Sequence, residues 1–238
     1  MIVGNGMLAN AFNQYINDDK IIIFASGVSN SKEQNDKEFE REFELLKSFS
    51  VTHKKLVYFS TCSIFDESLL ASKYIKHKIK TETFIEKSFK NYLILRLPNV
   101  VGKTNNANTS FNYFKNKILK GERLELQENA TRYFIDIDDL AAILPYIISD
   151  EKEFNKSINI CFNNKINVIN LVLLLESFLE TRIDKSPIEG GKDYNVDNLY
   201  FMNIVGDKKI KINKEYNNNL IKKYLKTNYG NNYLHRNI

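Results

Sequence analysis

Three short apolar runs, each followed by an amphipathic stretch, constrain this chain more than any other feature. Ile21-Ile-Ile-Phe-Ala, Lys55-Leu-Val-Tyr-Phe-Ser and Tyr92-Leu-Ile-Leu-Arg-Leu are nearly continuous in apolar residues instead of alternating. A strand of this kind is covered on both faces, as in a parallel sheet lying between two layers of helices. The intervening segments fit that plan. Ala9 to about Ile16 reads as a helix, and Ser31–Phe49 spaces Phe39, Phe43, Leu45 and Leu46 among charges as an amphipathic helix would. Leu69–Phe89 reads as a third helix, and Met1-Ile-Val before Gly4 as a very short first strand. The second half is less regular. Helices are expected over Phe111–Lys120, Asp139–Ile148 (opened by an Asp138-Asp139 cap) and Val168–Glu180, with strands near Leu124–Leu126, Tyr133–Ile137 and Ser157–Phe162. Gly190-Gly191 marks a loop, and the Asn-rich stretch around Asn217–Asn219 a weakly ordered end. The fold class is α/β.

Composition excludes several alternatives. Of the 238 residues 43% are hydrophobic and 26% charged, which is globular rather than disordered. The longest apolar runs, around Ile21–Ala25 and Leu171–Leu175, are far short of the roughly 20 residues that cross a bilayer, so no membrane partner is expected. Met1 opens no signal peptide, and Cys62 and Cys161 are too few for a disulfide framework and lack metal-ligand spacing. A cytoplasmic protein without a bound metal is the expectation. The net charge of +5 comes from lysines interleaved with acidic residues, so no nucleic-acid partner is expected either.

Two constellations carry chemistry. Gly4-x-Gly6-x-x-Ala9 follows the first strand and opens a helix, where glycines let the backbone approach a pyrophosphate. A tight turn requiring positive φ accounts for the same residues. Further on, Tyr74 and Lys78 stand four apart, on one face of a helix. A free phenol titrates near about 10, and a neighbouring cation brings it towards values useful for proton transfer at neutral pH. With 13 tyrosines and 34 basic residues, chance supplies such pairs, and Tyr113 with Lys117 is a second one. Context separates them. Ser60-Thr61-Cys62-Ser63 lies at the C-terminal end of the Lys55–Ser60 strand, where open α/β sheets bind ligands, whereas Tyr113 has no such hydroxyl cluster and is expected to pack a helix. The hydroxyls also suit a simple strand-end turn.

Taken together, the glycine turn, Ser60-Thr-Cys-Ser-Ile-Phe65 and Tyr74-x-x-x-Lys78 with Glu82 resemble the extended short-chain dehydrogenases. The narrower resemblance is to the NAD-dependent epimerase/dehydratase family, which acts on nucleotide-activated sugars. Leu95-Arg-Leu-Pro-Asn-Val-Val-Gly102, Thr131-Arg-Tyr-Phe-Ile-Asp-Ile-Asp-Asp-Leu-Ala141 and Ser157-Ile-Asn-Ile-Cys161 with Lys165–Val172 follow in that family's order. The resemblance implies a Rossmann-like parallel sheet with helices on both faces and a smaller interleaved α+β lobe. Residues 1–103 would form the cofactor lobe, joined by later strands near 133–137 and 157–162, and residues 104–238 the substrate lobe. It further implies Tyr74 as acid/base, Lys78 as the group that tunes Tyr74 and binds the nicotinamide ribose, and Thr61 as the catalytic hydroxyl. Gly4, Gly6, Met7, Leu8, Ala25, Ser26 and Gly27 would hold NAD or NADP, while Ser63, Asn99 and Arg132 would contact a nucleotide-sugar substrate. The implied activity is keto-sugar reduction in bacterial surface polysaccharide assembly, with epimerisation on the same residues, or cofactor-free binding, as alternatives. A homodimer is the implied assembly.

The chain departs from that family in one large way. Only Asn10–Lys20 separates the glycine turn from Ile21, room for one helix where relatives have two strands and two helices on the adenosine side. No acidic residue stands about 20 positions after the turn at a strand end to read a ribose. Two arrangements are open. Ile21–Phe24 could replace the lost strand beside the first, or the sheet could simply be smaller, with the adenosine end held by loops or not at all. The stretch between Thr61 and Tyr74 is also short.

Overall fold

The computed structural model describes residues 1–208 and 212–229. Its main sheet contains β1 (Ile2–Val3), β2 (Ile21–Phe24), β3 (Lys55–Thr61), β4 (Tyr92–Leu97) and a late strand, Lys156–Asn159, all parallel and side by side in that order. The apolar runs are buried on both faces. On one face Ile23, Val57, Phe59, Leu93 and Leu95 pack against Phe12 and Tyr15, which follow α1 (Met7–Ala11). On the other, Ile22, Phe24, Leu56, Tyr58 and Ile94 meet Leu46 of α2 (Asp36–Lys47) and Ile85 and Phe89 at α3 (Lys73–Ser88). Alternate residues of each strand therefore serve different helix layers, as strict burial demands.

The smaller-sheet arrangement is the one adopted. Ile21–Phe24 lies between β1 and β3, with Ile2 opposite Ile23 and Ile23 opposite Val57, and β1 forms the sheet edge. This has a topological cost. The steps β1 to β2, β2 to β3 and β3 to β4 all move the same way across the sheet, yet α1 lies on the face opposite α2 and α3. The first crossover therefore has the opposite hand from the next two, in a class of connection that is right-handed in about 98% of cases. The same reversal has a functional side. The loops leaving β1 and β2 diverge to opposite faces, and such divergence opens a crevice at the C-terminal ends of parallel strands.

Beyond β4 the chain adds β5 (Asn99–Val101), α4 (Ser110–Leu119), β6 (Leu124–Gln127), β7 (Thr131–Arg132), β8 (Phe134–Asp136) and α5 (Ile137–Ile148). Next come β9, the Lys156–Asn159 strand, then β10 (Ile166–Asn167), α6 (Val168–Leu179), β11 (Lys185–Ile188), α7 (Leu199–Asp207) and α8 (Tyr216–Tyr229). A second core gathers Phe111, Phe114 and Ile118 of α4, Leu124 and Leu126 of β6, Leu171, Val172 and Leu175 of α6, and Leu220 and Ile221 of α8. The Phe134–Asp136 strand pairs with β5 and stays outside the main sheet, while Ile143, Leu144 and Ile147 of α5 and Phe201 of α7 pack on that sheet.

Local differences from the sequence reading have local causes. The first helix stops at Ala11 and is followed by a 3-10 turn over Asn13–Tyr15, because Phe12 turns fully into the core and the chain must return to β2. The fifth helix starts at Ile137, since Asp136 already caps it by accepting from Asp138 N. Asn217–Asn219 belong to α8, anchored by Asn164 Nδ2 donating to Asn217 Oδ1 at 2.9 Å. The rest of the expected loose end, from residue 230, lies outside the described residues.

Candidate active site

The crevice between the β1 and β2 loops widens into a cavity of about 1430 Å³ running to the second core. That is more than a drug-sized pocket of about 300–1,000 Å³ and gives room for two ligands side by side. All thirteen residues singled out from the sequence line it: Gly4, Gly6, Met7, Leu8, Ala25, Ser26, Gly27, Thr61, Ser63, Tyr74, Lys78, Asn99 and Arg132.

Gly4 closes the inner end. Its φ is +119°, and a Cβ there would stand 2.6 Å from the Ala25 carbonyl oxygen and 3.0 Å from Ser26 N. Glycine is required both for the dihedral angle and for bringing the β1 turn against the β2 loop. Gly4→Ala is therefore expected to lower stability by more than the roughly 1–3 kcal/mol of backbone strain alone, read as a fall in denaturant midpoint. An unchanged midpoint would show that the two loops do not meet as described.

The reactive end is built from β3 and α3. Ser72 caps α3 by accepting from Ile75 N, which orients the first turn so that Tyr74 faces the cavity. Thr61, the last residue of β3, accepts from Ser63 N at 3.1 Å, and its hydroxyl faces the same cavity as the Tyr74 phenol. Burial raises the Tyr74 phenol; Lys78 opposes it, Glu42 adds to it and the nearby Thr61 hydroxyl opposes it slightly, and the balance leaves the group above its ordinary value.

Lys78 is held in a buried cluster. Its ammonium donates to Glu42 Oε1 at 3.0 Å and to Tyr58 Oη at 2.9 Å, with Nζ 5.9 Å from the Tyr74 ring centroid. Tyr58 donates in turn to Glu42 Oε1 at 2.6 Å, and Val28 N to Glu42 Oε2 at 2.6 Å. His77 Nε2 lies 3.1 Å from the same carboxylate but off a hydrogen-bond line. Gly27 makes the closure possible, because a Cβ there would stand 3.0 Å from Lys78 Nζ. Burial disfavours the Glu42 carboxylate, yet Lys78, then His77 and Tyr58, outweigh that and hold it well below the usual carboxylate range. Burial likewise works against the Lys78 charge, and Glu42 and the two tyrosines reverse it and raise the group. Glu42, Tyr58 and His77 were not singled out in the sequence, although Glu42 had a signal: at three after Phe39 and four before Leu46 it stands on the apolar stripe of α2.

The substrate-side residues are also engaged. Arg132 Nη1 donates to Thr131 O at 2.6 Å and lies 3.5 Å from Asp66 Oδ2, a fully buried carboxylate. Asn99 spends its amide on Tyr133 O at 3.0 Å. Cys62 turns away, its thiol donating to Arg96 O. Tyr113, read from the sequence as a packing residue, also lines the cavity, with Lys32 Nζ 4.3 Å above its ring; Lys117 pairs with Glu122. Across the mouth, Asn106 Nδ2 donates to Ser29 Oγ at 3.0 Å.

The family model for NAD dependent epimerases and dehydratases matches residues 4–161, from the glycine turn through the last strand of the main sheet. The chain belongs to this family. Solved structures similar to this epimerase/dehydratase family member include UDP-glucuronic acid 4-epimerase from Bacillus cereus, in complex with UDP-glucuronic acid and NAD. It is 16% identical, with a TM-score of 0.67, over 94% of this chain and 81% of that one. A dTDP-4-dehydrorhamnose reductase from Clostridium acetobutylicum is 15% identical at a TM-score of 0.66, over 93% and 85%. The dTDP-glucose 4,6-dehydratase from Bacillus anthracis, in complex with NAD, is 16% identical at 0.65, over 94% and 79%. Such identities establish the shared fold. Among curated protein sequences, none matches this family member. No helix among its described residues is long and apolar enough to cross a membrane.

The residues present fit one half of a nicotinamide dinucleotide. The Gly4 cradle, the Ala25–Gly27 loop and the Thr61–Tyr74 pair surround the crevice. On the adenosine side the sheet ends at β1, and among the described residues no strand stands beyond it to carry a ribose-reading side chain.

Proposed function

We propose that this protein reduces a keto group on a nucleotide-linked sugar, with NADH or NADPH as hydride donor. The observation that carries the reading is the convergence of Thr61, Tyr74, the Gly4 cradle and Arg132 on one cavity large enough for cofactor and substrate together. The solved relatives in complex with NAD or with a UDP-sugar support the ligand classes. When bound, a reduced nicotinamide supplies the hydride that reaches the carbonyl carbon. Thr61 orients the carbonyl oxygen, and Tyr74 gives it the phenolic proton as the C=O becomes an alcohol. The tyrosinate regains its proton from water. Arg132, a planar guanidinium at the cavity wall, holds the substrate diphosphate, and Ser63 and Asn99 flank it.

A second reading, a nucleotide-sugar binder without cofactor, draws on the sheet edge at β1. Titration with NADH, NADPH and reduced nicotinamide mononucleotide separates the two. The reductase reading expects all three to bind within about tenfold of one another, because few contacts reach the adenosine end (a factor of ten is about 1.4 kcal/mol). Absence of binding by any of them, with nucleotide-sugar binding kept, would leave the binder.

A further inference from the structure

The buried carboxylate of α2 has a consequence for the direction of the chemistry, resting on the reductase reading above. A carbonyl that takes up a hydride needs one proton, which a phenol gives. An alcohol that gives up a hydride must lose one, which a tyrosinate takes. The two directions therefore ask for opposite resting states of Tyr74; burial favours the phenol, and the charge of Lys78 favours the tyrosinate.

We propose that Glu42 is a positioning residue that neutralises Lys78 and so keeps Tyr74 protonated, setting the site to donate a proton to a keto oxygen. The geometry supports this at each contact. Glu42 is fully buried, with one oxygen on Val28 N and the other shared by Tyr58 Oη and Lys78 Nζ. Lys78 is itself nearly inaccessible and spends two of its donors inside this cluster, on Glu42 and Tyr58. Seen from the phenol, the carboxylate offsets the ammonium beside it, where an isolated ammonium would favour the tyrosinate. Two further charged groups of the site are paired as well. Glu82 on α3 is bound by Arg96 of β4, at 2.6 Å, and Arg132 across the cavity lies beside Asp66. Tyr58 bridges Glu42 and Lys78, and His77 lies beside Glu42.

The test needs no substrate or cofactor, so its failure is separate from failure of the reductase reading, which the nucleotide titrations address. Protein with ring-labelled tyrosine is titrated by carbon NMR, with the Tyr74 signal assigned by its loss in Tyr74→Phe. In Glu42→Gln the Tyr74 midpoint is expected to fall by roughly 1–3 pH units, the effect of an opposite charge at close range. In the double variant Glu42→Gln/Lys78→Met, which removes both charges, it is expected to return to within about half a unit of the unsubstituted protein, as offsetting charges require. An unchanged midpoint in Glu42→Gln would overturn the proposal. Should that variant not fold, the double variant decides alone: a rise of more than about one unit would mean that Lys78 acts on the phenol without being neutralised.

Discussion

Tyr74→Phe is expected to lose turnover of a nucleotide keto-sugar by about 100- to 10,000-fold, the usual range for removing a positioned proton donor. The substitution deletes one oxygen from a partly buried ring on the first turn of α3, and the cap from Ser72 and the helix beyond it are untouched. Thr61 keeps its bond from Ser63 N, so the strand end stays in place. Nicotinamide nucleotide binding should therefore stay within about threefold, a change well under 1 kcal/mol, and the loss should fall on kcat. Steady-state rates and a fluorescence titration on the same preparation would separate the two. Full activity in the variant would remove Tyr74 from the chemistry and return the role to another group in the cavity.

Lys78→Met is expected to be the most destabilising single substitution in the site, by about 3–5 kcal/mol, because it leaves the Glu42 carboxylate buried without its countercharge. For a chain of this size that corresponds to a fall of roughly 6–20 °C in Tm. Adding Glu42→Gln should recover much of the loss, since a buried pair replaced as a unit is often near neutral. The pair also sets a pH window. Glu42 is held below its ordinary 4.5, so its contribution is present above that pH and is lost as the pH falls below it. Lys78 is held above its ordinary 10.5, so its contribution is present below that pH and is lost as the pH rises past it. Denaturant midpoints should show the difference between the original protein and the double variant as broadest between those limits. Lys78→Met alone unfolding at the original midpoint would contradict the buried pair.

The architecture was legible because it rests on burial. Ile22 and Ile23 had to be apolar on both faces, and that alone distinguishes a covered parallel strand from an edge hairpin. The meeting of the glycine turn with Thr61, Tyr74 and Lys78 at one cavity was legible because all of them stand at or near the ends of particular elements. Glu42 escaped because a charge among many in α2 looks like the solvated face until its spacing from Phe39 and Leu46 is counted. The strand neighbour of Ile21–Phe24 escaped for another reason. The handedness rule favours one crossover, and here the apolar sides of Phe12 and Leu46 force α1 and α2 onto opposite faces regardless. Helix ends shifted by a few residues wherever a buried ring, such as Phe12, or an earlier cap, such as Asp136, took precedence over the pattern.

The sheet edge at β1 finally bears on timing. An enzyme that oxidises and re-reduces one carbon returns its nicotinamide to the starting state and gains from never releasing it. One that only reduces must exchange the spent nucleotide after every cycle. Residence time is governed chiefly by the dissociation rate, which rises as contacts are removed. Among the described residues no strand stands beyond Ile2 and Val3 to grip the far end of a nucleotide, an edge that suits the brief occupancy the proposed reduction requires.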